Sequence, residues 1–114
     1  MQLLLPTIIL SSISSALAQS VSLYVCEHKD FGGTCSNNLP KDNHCYNLEE
    51  TNDFLDNQIS SYRVSGGCCV FYDQYGCNMR DHLFSATNRQ HGKIGSWHND
   101  KISSIKCDKI CRFD

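Results

Sequence analysis

Two short segments of this chain carry oxygen donors at matching positions. Asp56-Asn57-Gln58-Ile59-Ser60-Ser61 and Asn99-Asp100-Lys101-Ile102-Ser103-Ser104 each offer a carboxylate, a carboxamide and two hydroxyls within six residues. Calcium, a hard cation, takes about six to eight such oxygens at roughly 2.3–2.6 Å, with backbone carbonyls equally acceptable. Asn, Asp and Ser also favour turns for reasons unrelated to metal, because their side chains hydrogen-bond nearby backbone. The hexapeptides are therefore turns first, and cation sites if their oxygens converge.

The second set of reactive residues is the eight cysteines, Cys26, Cys35, Cys45, Cys68, Cys69, Cys77, Cys107 and Cys111. An even number in an exported chain predicts four disulfides, in any of 105 connectivities. Cys68 and Cys69 precede Val70-Phe71-Tyr72, a strand signal, so their side chains point to opposite faces and must find different partners. Zinc is disfavoured, since no C-x2-C pair is present. Catalysis needs converging groups, and the candidates are Glu27 beside His28 and the run Arg80-Asp81-His82. Neighbours in a strand face opposite ways, so no catalytic residue and no enzyme activity is expected.

The elements that hold these residues follow from an internal repeat. Residues 51–64 align without gaps on residues 94–107 at an offset of 43, which superposes the two hexapeptides. A weaker echo joins Cys26-Glu27-His28-Lys29-Asp30-Phe31-Gly32-Gly33 to Val70-Phe71-Tyr72-Asp73-Gln74-Tyr75-Gly76-Cys77, at an offset of 44. Each half thus reads as a strand, a tight aromatic-bearing hairpin, an irregular stretch and an Asn/Asp-rich turn. Strand signals cover 21–26, 61–64, 69–72 and 102–107, and helix is limited to one or two turns within 48–55. Two halves of strand and turn fit a pair of Greek keys packed as an all-β, disulfide-rich sandwich.

On these residues the chain resembles the βγ-crystallin family, whose calcium-binding members carry Asn/Asp-Asn/Asp-x-x-Ser/Thr-Ser after an aromatic-glycine hairpin. The resemblance covers essentially all of 19–114, read as one domain with Greek key 1 at about 21–66 and Greek key 2 at about 67–114. It implies two calcium ions. The hydroxyls of Ser60 and Ser103 and the backbone carbonyls of Gln58 and Lys101 would be direct ligands. Asp56, Asn57, Asn99 and Asp100 would coordinate or hold the turn, the two motifs swapping ligands. A further carbonyl would come from each hairpin, two residues before its aromatic, at Lys29 and Asp73. Where the family has a glycine at the hairpin, the first half has Gly33 and the second has Cys77. That glycine would normally supply a positive φ, so the second hairpin is the less securely specified of the two. Killer-toxin-like and protease-inhibitor proteins resemble the same fold, which leaves a secreted effector as the alternative to a structural or stress-related calcium module.

Apolar side chains have their own assignments. Ile59 and Ile102 are expected to point inward, and Phe31, Tyr75, Phe54 and Trp97 to belong to the core rather than to a stacking site. The segments 36–46 and 80–93, the latter basic and histidine-containing, are where an extracellular protein or cell-wall partner would bind.

Residues 1–18 are apolar, uncharged and end in Ala16-Leu17-Ala18, which predicts a signal peptide cleaved after Ala18 and secretion to the extracellular space. Pro6 and four serines break that stretch, so no membrane span is expected. A net charge of −2 with mixed signs gives no footprint for nucleic acid. What remains after residue 18 is one small domain's worth of chain, too small for its core alone to be a generous source of stability.

Overall fold

The computed structural model describes residues 21–37, 42–51, 55–95 and 98–113. The segment 1–18, Phe54 and Trp97 lie outside the described residues, and so do the expectations placed on them. Six strands form: β1 (Ser22–His28), β2 (Gly32–Ser36), β3 (Cys45–Asn47), β4 (Ser61–Tyr72), β5 (His82–His91) and β6 (Ser104–Asp108). A single helical turn, α1 (Leu48–Thr51), follows β3, and the hairpin turns at Lys29–Phe31 and Met79–Asp81 are 3-10.

All pairings are antiparallel, in the order β2-β1-β4-β6-β3 with β5 added on β4. The long strand β4 explains how one sheet makes two layers. Its first half, Ser61 to Ser65, pairs with β1, and its second half, Cys68 to Tyr72, pairs with β6. Between them the pairing with β5 shifts register, and Gly66 takes φ +82°, open to glycine and costly for other residues. Asn88 stabilises the bend: its side-chain oxygen accepts from the N–H groups of Gly66 (2.6 Å) and Gly67 (3.2 Å). Gly67 has no room for a side chain, since a Cβ there would meet the Asp108 carbonyl at 2.5 Å.

Strands are exchanged across the bend. β3 comes from the first half yet pairs with β6 of the second, while the end of β5 returns to pair with the first half of β4. Leu23 and Val25 of β1, Tyr62, Val64, Cys69 and Phe71 of β4 and Ile105 of β6 then meet in one core. The second half of β4 is buried on both faces, because Cys68, Val70 and Tyr72 pack beneath the C-terminal segment carrying Cys111.

Four disulfides staple this arrangement: Cys26–Cys35, Cys45–Cys77, Cys68–Cys111 and Cys69–Cys107. Cys68 and Cys69 take different partners, as the alternation of a strand requires. Three strands were not signalled by the sequence. β2 is glycine-rich, β3 has three residues, and β5 carries the charged and amide side chains of an exposed edge. The segment 80–93, expected as a partner-binding surface, is thus largely a strand.

Candidate metal centre

Each hexapeptide begins in a four-residue turn. The N–H of Gln58 donates to the Leu55 carbonyl (2.9 Å), and that of Lys101 to the His98 carbonyl (3.3 Å). The third residue of each turn, Asn57 and Asp100, has φ +59°, a conformation that Asn and Asp tolerate better than most residues. This flips the Asn57 N–H onto the Ile102 carbonyl (3.0 Å) and the Asp100 N–H onto the Ile59 carbonyl (3.3 Å). Each turn therefore closes on the other, with Ile59 and Ile102 fully buried between them.

The side chains repeat the exchange. Ser103 Oγ donates to Asn57 Oδ1 (3.1 Å) and Ser60 Oγ to Asp100 Oδ1 (3.2 Å). Residues 57 and 100 correspond in the repeat, as do 60 and 103, so one contact is the other turned by a two-fold axis.

The second serine of each motif has a role that was not read from the sequence. Ser61 Oγ donates to the His28 carbonyl (2.7 Å) and accepts from the Phe31 N–H (3.0 Å). Ser104 Oγ donates to the Gln74 carbonyl (2.5 Å) and accepts from the Cys77 N–H (3.1 Å). Both serines are fully buried and tie a hairpin down onto its turn. The signal available was their recurrence in both copies, with no ligand role left for them.

These anchors also correct the hairpin register. His28 matches Gln74 and Phe31 matches Cys77, an offset of 46 rather than 44, and the positive φ values agree: Asp30 and Gly76, then Phe31 and Cys77. Cys77 adopts φ +50° itself, tied to Cys45, so the hairpin forms without the family's glycine. The counterpart of Lys29 is then Tyr75. Asp73 sits two residues earlier, just past the end of β4, its N–H on the Asp81 carbonyl (2.9 Å). Tyr75 is not a core residue either, being 44% exposed, and Phe31 is half-buried against Tyr24, ring centroids 6.0 Å apart.

The two ends of the clasp differ in charge. At one, Lys29, Ser60 and Asn99 line a cleft of 470 Å³ together with His28, Lys93 and Ile94. At the other, the Tyr75 hydroxyl donates to Asp56 Oδ2 (3.3 Å), while Asp56 Oδ1 is buried without a hydrogen-bond partner among the described residues. The Tyr75 phenol is held well above its usual pKa, first by its hydrogen bond with Glu49, then by burial and by the Asp56 carboxylate. Gln58 and Lys101 project outward, which leaves their carbonyls rather than their side chains for any ion.

Among the described residues no group of three or more His, Cys, Asp and Glu side chains is placed to hold a metal. An ion at either end would be bound chiefly by hydroxyl, amide and backbone oxygens. The pairs weighed for catalysis make only local contacts: Glu27 Oε1 lies 3.5 Å from His28 Nε2, and Arg80 Nε 3.3 Å from Asp81 Oδ2. Glu27 and His28 meet, against the alternation of a regular strand, because β1 slips register between Cys26 and His28. Among the described residues no helix is long and apolar enough to cross a membrane.

No protein-family model matches the chain, and no curated protein sequence is significantly similar to it. Solved structures are similar. A βγ-crystallin domain from Clostridium beijerinckii aligns with TM-score 0.64 at 20% identity, over 77% of this chain and 98% of that one. A βγ-crystallin from Ciona intestinalis gives 0.61 at 23%, over 75% and 96%. A Flavobacterium johnsoniae βγ-crystallin domain gives 0.59 at 23%, over 76% and 93%. Two swapped Greek-key layers, clasped turns and anchored hairpins, aligned with nearly the full length of these domains, give this chain the fold of a βγ-crystallin domain.

Proposed function

We propose that this protein is an exported, non-catalytic calcium-binding module of the βγ-crystallin family, holding one ion at each end of its clasped turns. The observation that carries this reading is the reciprocal contact of Ser60 with Asp100 and Ser103 with Asn57, which sets both hydroxyls among carbonyl and carboxylate oxygens. The buried, unpartnered Asp56 Oδ1 supports it, because a carboxylate oxygen withdrawn from water without a donor is costly unless a cation offsets the loss.

One site would use Ser60, Asn99 and the carbonyls of Lys29 and Lys101. The other would use Ser103, Asp56, the Gln58 carbonyl and a carbonyl of the second hairpin, Asp73 or Tyr75. Asn57 and Asp100 hold the turns. The ion would cross-link each hairpin to the opposite turn and so stabilise the folded state alone, by about 2.7 kcal/mol when calcium is a hundredfold above Kd. With so few carboxylates, affinities fall in the micromolar to millimolar range of extracellular modules. Four disulfides suit the same oxidising setting.

The test is calorimetric titration of calcium into the chelator-treated, oxidised protein, with magnesium as control and thermal melts alongside. Two sites and a raised Tm are expected, with Ser60→Ala and Ser103→Ala each removing one site. No heat and an unchanged Tm would leave a metal-free scaffold.

A further inference from the structure

Three of the four disulfides have a cysteine in the core: Cys26, Cys68, Cys69 and Cys107 are each at most 1% exposed. Cys45–Cys77 has none. Cys45 is exposed at the start of β3, a strand at the edge of the sheet, and Cys77 is half-buried in the second hairpin. Disulfide exchange requires a thiolate to reach one sulfur of the bond, so access decides which bridge opens first. Lys106 stands directly across the ladder from Cys45 with its side chain on the same face, and its charge favours an approaching thiolate.

The same bond holds the second hairpin. In the first hairpin the Asp30 N–H donates to the backbone carbonyl of Gly92 (2.6 Å), and Phe31 rests on Tyr24 with Arg63 over its ring. The matching N–H of the second hairpin, that of Gly76, donates to a side chain of β3, Asn47 Oδ1 (2.8 Å). Cys77, at the position of Phe31, replaces ring packing by its covalent link to Cys45. Its φ of +50° is costly for a residue with a Cβ, and the bond helps to maintain it.

We propose that Cys45–Cys77 is a thiol-exchange site, opened by a small dithiol while the other three bridges stay closed, and that its opening releases the second hairpin from β3. A thiolate of the dithiol attacks the exposed Cys45 sulfur, the S–S bond breaks, and Cys77 leaves as a thiolate that takes up a proton. The reagent's second thiol then displaces Cys45 from the mixed disulfide. The bridge has gained two electrons and two protons, and the dithiol has become a cyclic disulfide. The end of the clasp placed under this control is the one at Asp56, which Tyr75 of the same hairpin reaches (3.3 Å).

The experiment treats the folded, chelator-treated protein with low dithiothreitol, traps free thiols with iodoacetamide and maps the label by mass spectrometry. The first trapped species should carry label on Cys45 and Cys77 alone, forming at least about tenfold faster than any species labelled at a third cysteine. In that species amide exchange at Gly76 and Cys77 should rise at least about tenfold, while the Phe31 amide, held by Ser61, keeps its oxidised rate. The double variant Cys45→Ser, Cys77→Ser should show the same exchange pattern without reductant, which separates loss of the bond from the bulk of the label. First labelling of another pair, labelling of all eight cysteines together, or unchanged exchange at Gly76 and Cys77 would each overturn the proposal. Because calcium is absent throughout, the result stands apart from the calcium reading.

Discussion

The two ends of the clasp share a backbone and differ in charge. Asn57 and Asp100 have the same positive φ, and each donates to the other motif's isoleucine carbonyl. Yet one end places Asn99 near Lys29, Lys93 and His28, and the other gathers Asp56 and Glu49 around Tyr75. Backbone geometry decides that a pocket of oxygens exists, and the surrounding side chains decide how attractive it is to a cation. The hairpins differ likewise: Cys26–Cys35 closes a sequence separation of 9 within the first half, and Cys45–Cys77 spans 32 and joins the halves.

The largest expected effect tests that second contrast. Replacing both cysteines of Cys45–Cys77 by alanine should cost about 3–4 kcal/mol, and replacing both of Cys26–Cys35 about 2–3, because the longer loop restricts the unfolded chain more. Urea melts of the two double variants measure the gap, and equal losses would show that the other three bridges already confine the longer loop. An exchange of charge between the ends comes next. Asp56→Asn should weaken calcium at its end at least about tenfold, and Asn99→Asp should strengthen the opposite end comparably, given the charge a carboxylate brings to an oxygen site. Calorimetry of both variants reads this, and unchanged affinities would mean that neither side chain touches an ion.

The smallest effect concerns a feature found in the second half alone. Asp108 accepts from the Lys109 N–H (2.7 Å) and from Arg112 Nε (2.7 Å), and these contacts hold its pKa below the usual carboxylate value. A lowered folded-state pKa adds stability above the unfolded value, about pH 4, and loses it as pH falls through the folded one. Asp108→Asn should slightly flatten the acid side of the stability profile, by lowering Tm a little near pH 7 and leaving it unchanged below the folded-state pKa. An acid limb identical to wild type would assign that slope to other carboxylates.

The clasp was the most legible part of the sequence, because a gapless repeat keeps equivalent residues in register whatever their neighbours. Ile59 and Ile102 are buried as their place in the repeat implies. The hairpins were less legible. The echo there followed the aromatics Phe31 and Tyr75, but the hydrogen bonds of Ser61 and Ser104 follow the backbone, which places Cys77 where Phe31 lies. A disulfide-tied cysteine at positive φ has no compositional signature. β5 was hidden for a different reason: as an edge strand it presents Thr87, Asn88, Arg89 and Gln90 to solvent, and such a run lacks the apolar alternation that marks a strand.

The exchanged strands bear on how the chain reaches this state. β3 lies far upstream of its partner β6, and Cys68–Cys111 and Cys69–Cys107 cannot close until the segment carrying β6 has been made. Neither half completes its own layer, so a nascent first half has an unpaired strand and no settled core. Folding dominated by such distant pairings belongs to the slow, millisecond-to-second regime. The two layers thus assemble together only once β6 is available, and truncation before β6 should forfeit both.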